Sequence, residues 1–238
     1  MSDIIIEDVS LNVSDGTSMA AFVARPKGSD KYPGLFVFQE AFGVNSHIRD
    51  IAKRFAREGF IAIAPELFHR TAHGFQGNYN DFSSARVHVN ALTNEGLIAD
   101  INAVDEWMRN DTKLLHDEIA SIGFCMGGRV SFLANTTVKL KAAVSFYGGG
   151  MTAILDRVPG MQAPQLMFWG GLDKHIDEGQ VNTVTAALKA NKKVYTNVVI
   201  SNAEHAFFCD ARSSYNAIAA KQAWALVLAF FNSNLSKR

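Results

Sequence analysis

Residues 119–130 read Ile119-Ala120-Ser121-Ile122-Gly123-Phe124-Cys125-Met126-Gly127-Gly128-Arg129-Val130, and this stretch decides the fold. An apolar run from Ile119 to Phe124 stops at a cluster of small residues. Helical periodicity resumes at Val130, Phe132 and Leu133. The pattern predicts a strand, a very tight turn and a helix, with Cys125 lifted to the apex. A residue at such an apex takes a strained backbone conformation, and glycines at 123, 127 and 128 leave it room. The spacing is that of the nucleophile elbow Gly-x-Ser-x-Gly with sulfur in place of oxygen. The positive end of the following helix favours a thiolate there, and the N–H of Met126 is placed to donate to an oxyanion. A buried cysteine is also a common packing residue, so the rest of the chain has to decide.

Working outward, the same β-α rhythm recurs on both sides. Upstream, Gly34 to Phe38 and Phe60 to Ala64 are continuous apolar runs typical of strands buried on both faces. Between them Ile48, Ile51, Ala52 and Phe55 recur at helical spacing, with Asn45 or Ser46 as N-cap and Gly59 as the stop. Further upstream, Ile4 to Val13 and Met19 to Ala24 flank the turn residues Ser14-Asp15-Gly16-Thr17 and predict an antiparallel hairpin. Residues 65–94 show no regular period and read as an excursion over the strand ends. Leu97, Ile101, Val104 and Met108 mark the helix that leads into the elbow strand.

Downstream, Ala142 to Phe146, Gln165 to Trp169 and Val194 to Ile200 are further strands, with a helix around Val181 to Ala190. A closing helix presents Ala219, Ala223, Leu226, Val227 and Phe230 on one face. The reading is therefore α/β: a mostly parallel central sheet flanked by helices, preceded by an antiparallel hairpin, in a single domain over residues 1–238.

Composition narrows the function classes. The 238 residues are 48% hydrophobic, enough for a substantial core, and 23 basic residues balance 23 acidic ones. Nothing in that balance steers the chain to nucleic acid or to an anionic membrane. Two cysteines, Cys125 and Cys209, do not make a disulfide framework. Met1-Ser2-Asp3 opens no signal-peptide pattern and no segment reaches spanning length, so a cytoplasmic protein is expected, as a monomer or small homo-oligomer.

Three residues fall at corresponding places. Cys125, Asp173 and His205 each follow the carboxyl end of a predicted parallel strand, the edge where such sheets gather reactive groups. Their order, nucleophile then acid then histidine, is the α/β-hydrolase order. In that chemistry His205 holds the thiol proton and later activates water, while Asp173 fixes the ring tautomer and stabilises the imidazolium. Asp177, Glu178 and Glu204 are rival acids, and six other histidines compete with His205.

Five segments in this order resemble the dienelactone hydrolase family, a cysteine branch of the α/β-hydrolases. They are Gln39-Glu40-Ala41-Phe42-Gly43-Val44-Asn45, Pro65-Glu66-Leu67-Phe68, Gly123-Phe124-Cys125-Met126-Gly127-Gly128, Trp169-Gly170-Gly171-Leu172-Asp173 and Glu204-His205-Ala206-Phe207. The resemblance implies a cysteine-dependent hydrolase of small carboxylic esters or lactones, with Cys125, Asp173 and His205 as triad. It implies an oxyanion hole from the backbone N–H groups of Met126 and Ala41, and Glu40 beside the resting thiol as its gate. A buried structural acid bonded to loop amides is the other reading of Glu40.

The sequence departs from the family where a second arginine would hold the substrate carboxylate, because Cys209 stands four residues after His205. Arg70 and Arg212 are the candidate anion anchors. No cofactor is expected, and no metal site: there is no His-Glu-x-x-His, no paired Cys-x-x-Cys and no phosphate loop. Phe42, Phe75, Phe82, Phe146, Phe207 and Phe208 are candidates for an apolar acyl pocket or for plain core. Two other functions share these residues: a non-catalytic small-molecule binder on the hydrolase fold, and a redox role through Cys125 and Cys209.

Overall fold

The computed structural model describes residues 3–236, so Met1 and Ser2, which the signal-peptide reading used, lie outside the described residues. The predicted hairpin is β1 (Ile4–Asn12) with β2 (Ser18–Pro26), paired antiparallel from Ile4↔Pro26 to Asn12↔Ser18. It is followed by β3 (Tyr32–Phe38), α1 (Ser46–Arg57) and β4 (Ile61–Pro65). Asn45 caps α1 by accepting from the Ile48 N–H, and the helix buries Ile48, Ile51, Ala52 and Phe55 as the spacing predicts. The chain continues through α2 (Phe82–Ala91), α3 (Asn94–Arg109), β5 (Leu114–Phe124), α4 (Met126–Thr137) and β6 (Ala142–Phe146). A 3-10 segment (Met151–Gly160), β7 (Gln165–Gly170), α5 (Glu178–Ala190), β8 (Tyr195–Ile200) and α6 (Ala217–Asn234) complete it.

The eight strands form one sheet in the order β1-β2-β4-β3-β5-β6-β7-β8. Only the pairings of β2, with β1 and with β4, are antiparallel; β3 to β8 run parallel. Helices line the sheet in two groups. Helix α1 meets α6 through Phe55, whose ring lies 4.6 Å from Trp224 and 5.9 Å from Phe231. Helix α4 packs on β5 and β6, and beside α3 and the 3-10 segment.

Three readings change in detail. Helix α2 lies inside the stretch expected to be irregular; it buries only Ala85 and leaves Phe82 and Val87 exposed, so it carries no apolar period to read. The 3-10 segment contains Pro159 and a kink at Ile154, which likewise erase a helical signature. Helix α6 buries Ala219, Ala223 and Val227 of its predicted face, but Leu226 is exposed and Phe231 rather than Phe230 is fully buried.

The elbow is set by backbone approach. A Cβ on Gly123 would stand 1.8 Å from the carbonyl oxygen of Gly127, and one on Gly127 would stand 2.3 Å from that of Phe38. Neither neighbour is a side chain that could rotate away. Strand β5, the start of α4 and the end of β3 therefore meet only because these two positions lack side chains. Beneath the elbow, Phe124, Phe146 and Phe168 pair in register across β5, β6 and β7. Their rings stack at 5.0 Å and 4.5 Å, a floor closed from the side by Phe208 at 4.9 Å from Phe146.

Gly123→Ala is expected to destabilise the chain by about 3 kcal/mol or more, because its methyl group collides with backbone. Gly149→Ala, where an added Cβ meets nothing within 4 Å, is expected to stay within about 0.5 kcal/mol of wild type. Urea unfolding of the two variants checks the contrast.

Candidate active site

Cys125 sits between β5 and α4 with φ 54° and ψ −121°, a conformation that disfavours any side chain. Its N–H donates to the Phe146 carbonyl at 3.0 Å, and its carbonyl accepts from the Gly128 N–H at 2.9 Å. The two bonds hold the strained peptide from both sides. The side chain is partly exposed at the end of the parallel strands.

His205 follows β8 and Asp173 follows β7. The His205 Nδ1 is 2.7 Å from Asp173 Oδ2, and Cys125 is near enough to the ring to favour its charged form. With Nδ1 on the carboxylate, Nε2 is the nitrogen that faces sulfur. The other oxygen of Asp173 accepts the backbone N–H of His175 at 2.7 Å and of Ile176 at 3.1 Å. Its carboxyl group is only 1% exposed. Burial alone would raise its pKa, but the bonds from His205 and from the two amides outweigh burial and lower it. Burial likewise opposes charge on His205, whereas Asp173 and Cys125 favour it strongly enough to push its pKa up to about 10. The rival acids are elsewhere: Asp177 caps α5 through the Gln180 N–H, and Glu178 and Glu204 are exposed.

Strand β3 runs beside β5, with Phe38 opposite Gly123, so the segment from Gln39 to Asn45 starts alongside the elbow. Ala41 lies there, 2% exposed. Met126 is the first residue of α4, where an N–H has no acceptor within its own helix. Glu40 is completely buried, and among the described residues neither of its carboxylate oxygens has a hydrogen-bond partner. Ligand atoms of Glu40, the Cys209 thiol and the His47 imidazole all lie within 4.8 Å of one another.

The structure does not gather every anticipated residue. Arg70 is committed to carboxylates, with Nε at 2.7 Å from Asp15 and two nitrogens on Asp100 at 2.8 and 3.0 Å. It lines a cavity of about 340 Å³ whose walls include none of Cys125, Asp173 and His205. Arg212 is on the site's side: its guanidinium lies over the rings of Phe42 and Tyr79 at 5.6 and 5.7 Å and acts electrostatically on Tyr147 and Cys209. Of the phenylalanines, Phe42, Phe146, Phe207 and Phe208 are buried in the core and Phe82 is half exposed.

Three residues were not singled out from sequence. Tyr147, directly after β6, is fully buried at φ 37°, and its ring lies 5.0 Å from that of His205. Its hydroxyl has no hydrogen-bond partner among the described residues; burial, Glu40, Cys209 and Cys125 all push its pKa well up. Its place at a strand end was the available signal. Tyr79 accepts from Asn45 at 2.9 Å and is hydrogen-bonded to Cys209. Burial and the nearby Glu40 raise the Cys209 thiol to about 12. His47, in the first turn of α1, is the third.

A profile of the Dienelactone hydrolase family matches residues 19–235. The chain is 38% identical over 232 residues to the "Putative carboxymethylenebutenolidase" of Salmonella typhimurium, covering 92% of this chain and 84% of that protein. It is 34% identical over 233 residues to the Synechocystis protein of the same name, covering 91% and 92%. Among solved structures, the "Putative Dienelactone Hydrolase" of Klebsiella pneumoniae superposes with a TM-score of 0.88 at 34% identity, over 96% of this chain and 98% of that one. No helix among the described residues is long and apolar enough to cross a membrane. By sequence over most of its length and by the architecture of its sheet, the chain belongs to the dienelactone hydrolase family of ester and lactone hydrolases.

Proposed function

We propose that this protein hydrolyses small carboxylic esters or lactones through a Cys125-His205-Asp173 triad and a thioester acyl-enzyme. The observation that carries the reading is the arrangement at the strand ends: a cysteine at positive φ on a strand-to-helix elbow, close enough to an imidazole to favour its charge, with that ring's Nδ1 2.7 Å from a buried carboxylate. The Cys125 sulfur, its proton held by His205, attacks the carbonyl carbon. The resulting oxyanion is received by the N–H groups of Met126 and Ala41. The carbon–oxygen bond to the leaving alcohol breaks as His205 Nε2 returns the proton to that oxygen. Water, deprotonated by the same nitrogen, then attacks the thioester, and the acid leaves with Cys125 restored. Asp173 holds the ring through Nδ1 and stabilises its charge.

Glu40 regulates the thiol in this scheme. A buried carboxylate without a hydrogen bond sets a negative field at the site, as the raised Tyr147 and Cys209 values report, and such a field disfavours a thiolate. Arg212 is the arginine positioned to answer a substrate carboxylate, since Arg70 is already paired with Asp15 and Asp100.

Three outcomes are expected. Cys125→Ala lowers hydrolysis of p-nitrophenyl esters and dienelactones by about 10⁴-fold or more while the fold, checked by circular dichroism, is retained; residual wild-type activity in a folded variant would remove the thiol from the mechanism. His205 stays protonated up to about pH 10, so kcat/KM holds through neutral pH and falls as pH rises through that value. In Asp173→Asn the bond that raises His205 is lost, and this alkaline limb moves to lower pH, a shift read from the two profiles. Glu40→Gln raises the rate of iodoacetamide alkylation at Cys125 by about tenfold, the effect of one pKa unit on thiolate population; peptide mass spectrometry assigns the alkylated residue.

A further inference from the structure

We propose that Glu40, His47 and Cys209 form a binding site for a thiophilic divalent cation of the zinc type. The site uses neither Cys125 nor His205 but shares Glu40 with the catalytic reading, so a bound cation would also neutralise the field that Glu40 sets at the thiol. The three side chains come from separate segments: the loop after β3, the first turn of α1 and the turn after His205. Each is buried, and one ligand atom from each lies within 4.8 Å of the others. Zinc bonded at about 2.0–2.3 Å in a tetrahedron needs its ligand atoms about 3.5 Å apart, so side-chain rotation of about an ångström closes the set.

Orphaned atoms point the same way. Both Glu40 oxygens and His47 Nε2 are buried with no hydrogen-bond partner among the described residues. If the cluster were a structural ion pair, those atoms would satisfy one another, because an unpaired buried polar group is costly. They converge without bonding, which is the arrangement a cation completes.

The surrounding groups are those of a metal centre. His47 Nδ1 is 3.4 Å from Asp210 Oδ1, and the Asp210 side chain is 70% exposed. With Nδ1 beside that carboxylate, the unpartnered Nε2 is the ring nitrogen left to bind a metal. The Cys209 sulfur has hydrogen bonds from the Tyr79 hydroxyl and the Ala211 backbone, and such bonds stabilise a metal-bound thiolate. Thiolate, imidazole and carboxylate together select zinc over calcium or magnesium, which take all-oxygen sets. On binding, the Cys209 S–H bond breaks, the sulfur–metal bond forms and the proton passes to water. Three protein ligands leave a fourth position for water.

The test is cobalt titration of the full-length Cys125→Ala chain, in which Cys209 is the only thiol left. The expected result is tetrahedral d–d bands and a thiolate-to-cobalt charge-transfer band saturating at about one equivalent, both removed by added zinc. Adding Cys209→Ala or His47→Gln abolishes the charge-transfer signal. Asp210→Asn, a surface change that leaves folding intact, weakens binding by about 10- to 100-fold. Absence of a charge-transfer band in the Cys125→Ala chain, or cobalt affinity unchanged by Asp210→Asn, overturns the site.

Discussion

The Cys125 peptide is held in a conformation that its own side chain disfavours, and much of the molecule can be understood as the means of holding it. A non-glycine residue at φ 54° and ψ −121° persists only where its surroundings over-determine it. Here the determinants are hydrogen bonds to Phe146 and from Gly128, and two glycines whose missing side chains let β3, β5 and α4 close to backbone contact. The stacked row of Phe124, Phe146 and Phe168 makes the platform below incompressible. Strain at one residue is thus sustained by packing in three strands.

Around that residue the electrostatics divide into two halves. On one side Asp173 is satisfied by three donors, so its charge is stable and can be spent on orienting His205. On the other side Glu40 is buried and unsatisfied, and its field helps to raise Tyr79, Tyr147 and Cys209. The histidine feels an attracting carboxylate, while Tyr147 and Cys209 feel a repelling one. A substrate that reorganises Glu40 would change the balance without any movement of the triad.

Much of this was legible in the sequence because the signals are local. Glycine spacing marked the elbow, apolar runs marked β3 to β7, and Asn45 marked the start of α1. The strand-end rule placed Cys125, Asp173 and His205 at one edge. What failed to show was non-local or lacked a period. Helix α2 buries a single residue, so no face could be recognised. Arg70 looked free because its partners, Asp15 and Asp100, lie 55 and 30 residues away in sequence. His47, Tyr79 and Cys209 share no spacing at all, and only the meeting of α1, the loop before α2 and the turn after His205 makes them neighbours.

The pairing of β3 with β5 has a consequence for how reactivity arises as the chain folds. Phe38 meets Gly123 across 84 intervening residues, and β4 and three helices, one of them inside the long excursion, must be threaded before that contact closes. Contacts of such sequence separation form late, after their loop-closure entropy has been overcome. Until they do, Cys125 lies on an unstrained segment without its histidine, its carboxylate or the β3 amide beside it. A nascent or partly unfolded chain therefore lacks both the strained Cys125 backbone and the His205–Asp173 pair, which arise only with the completed sheet.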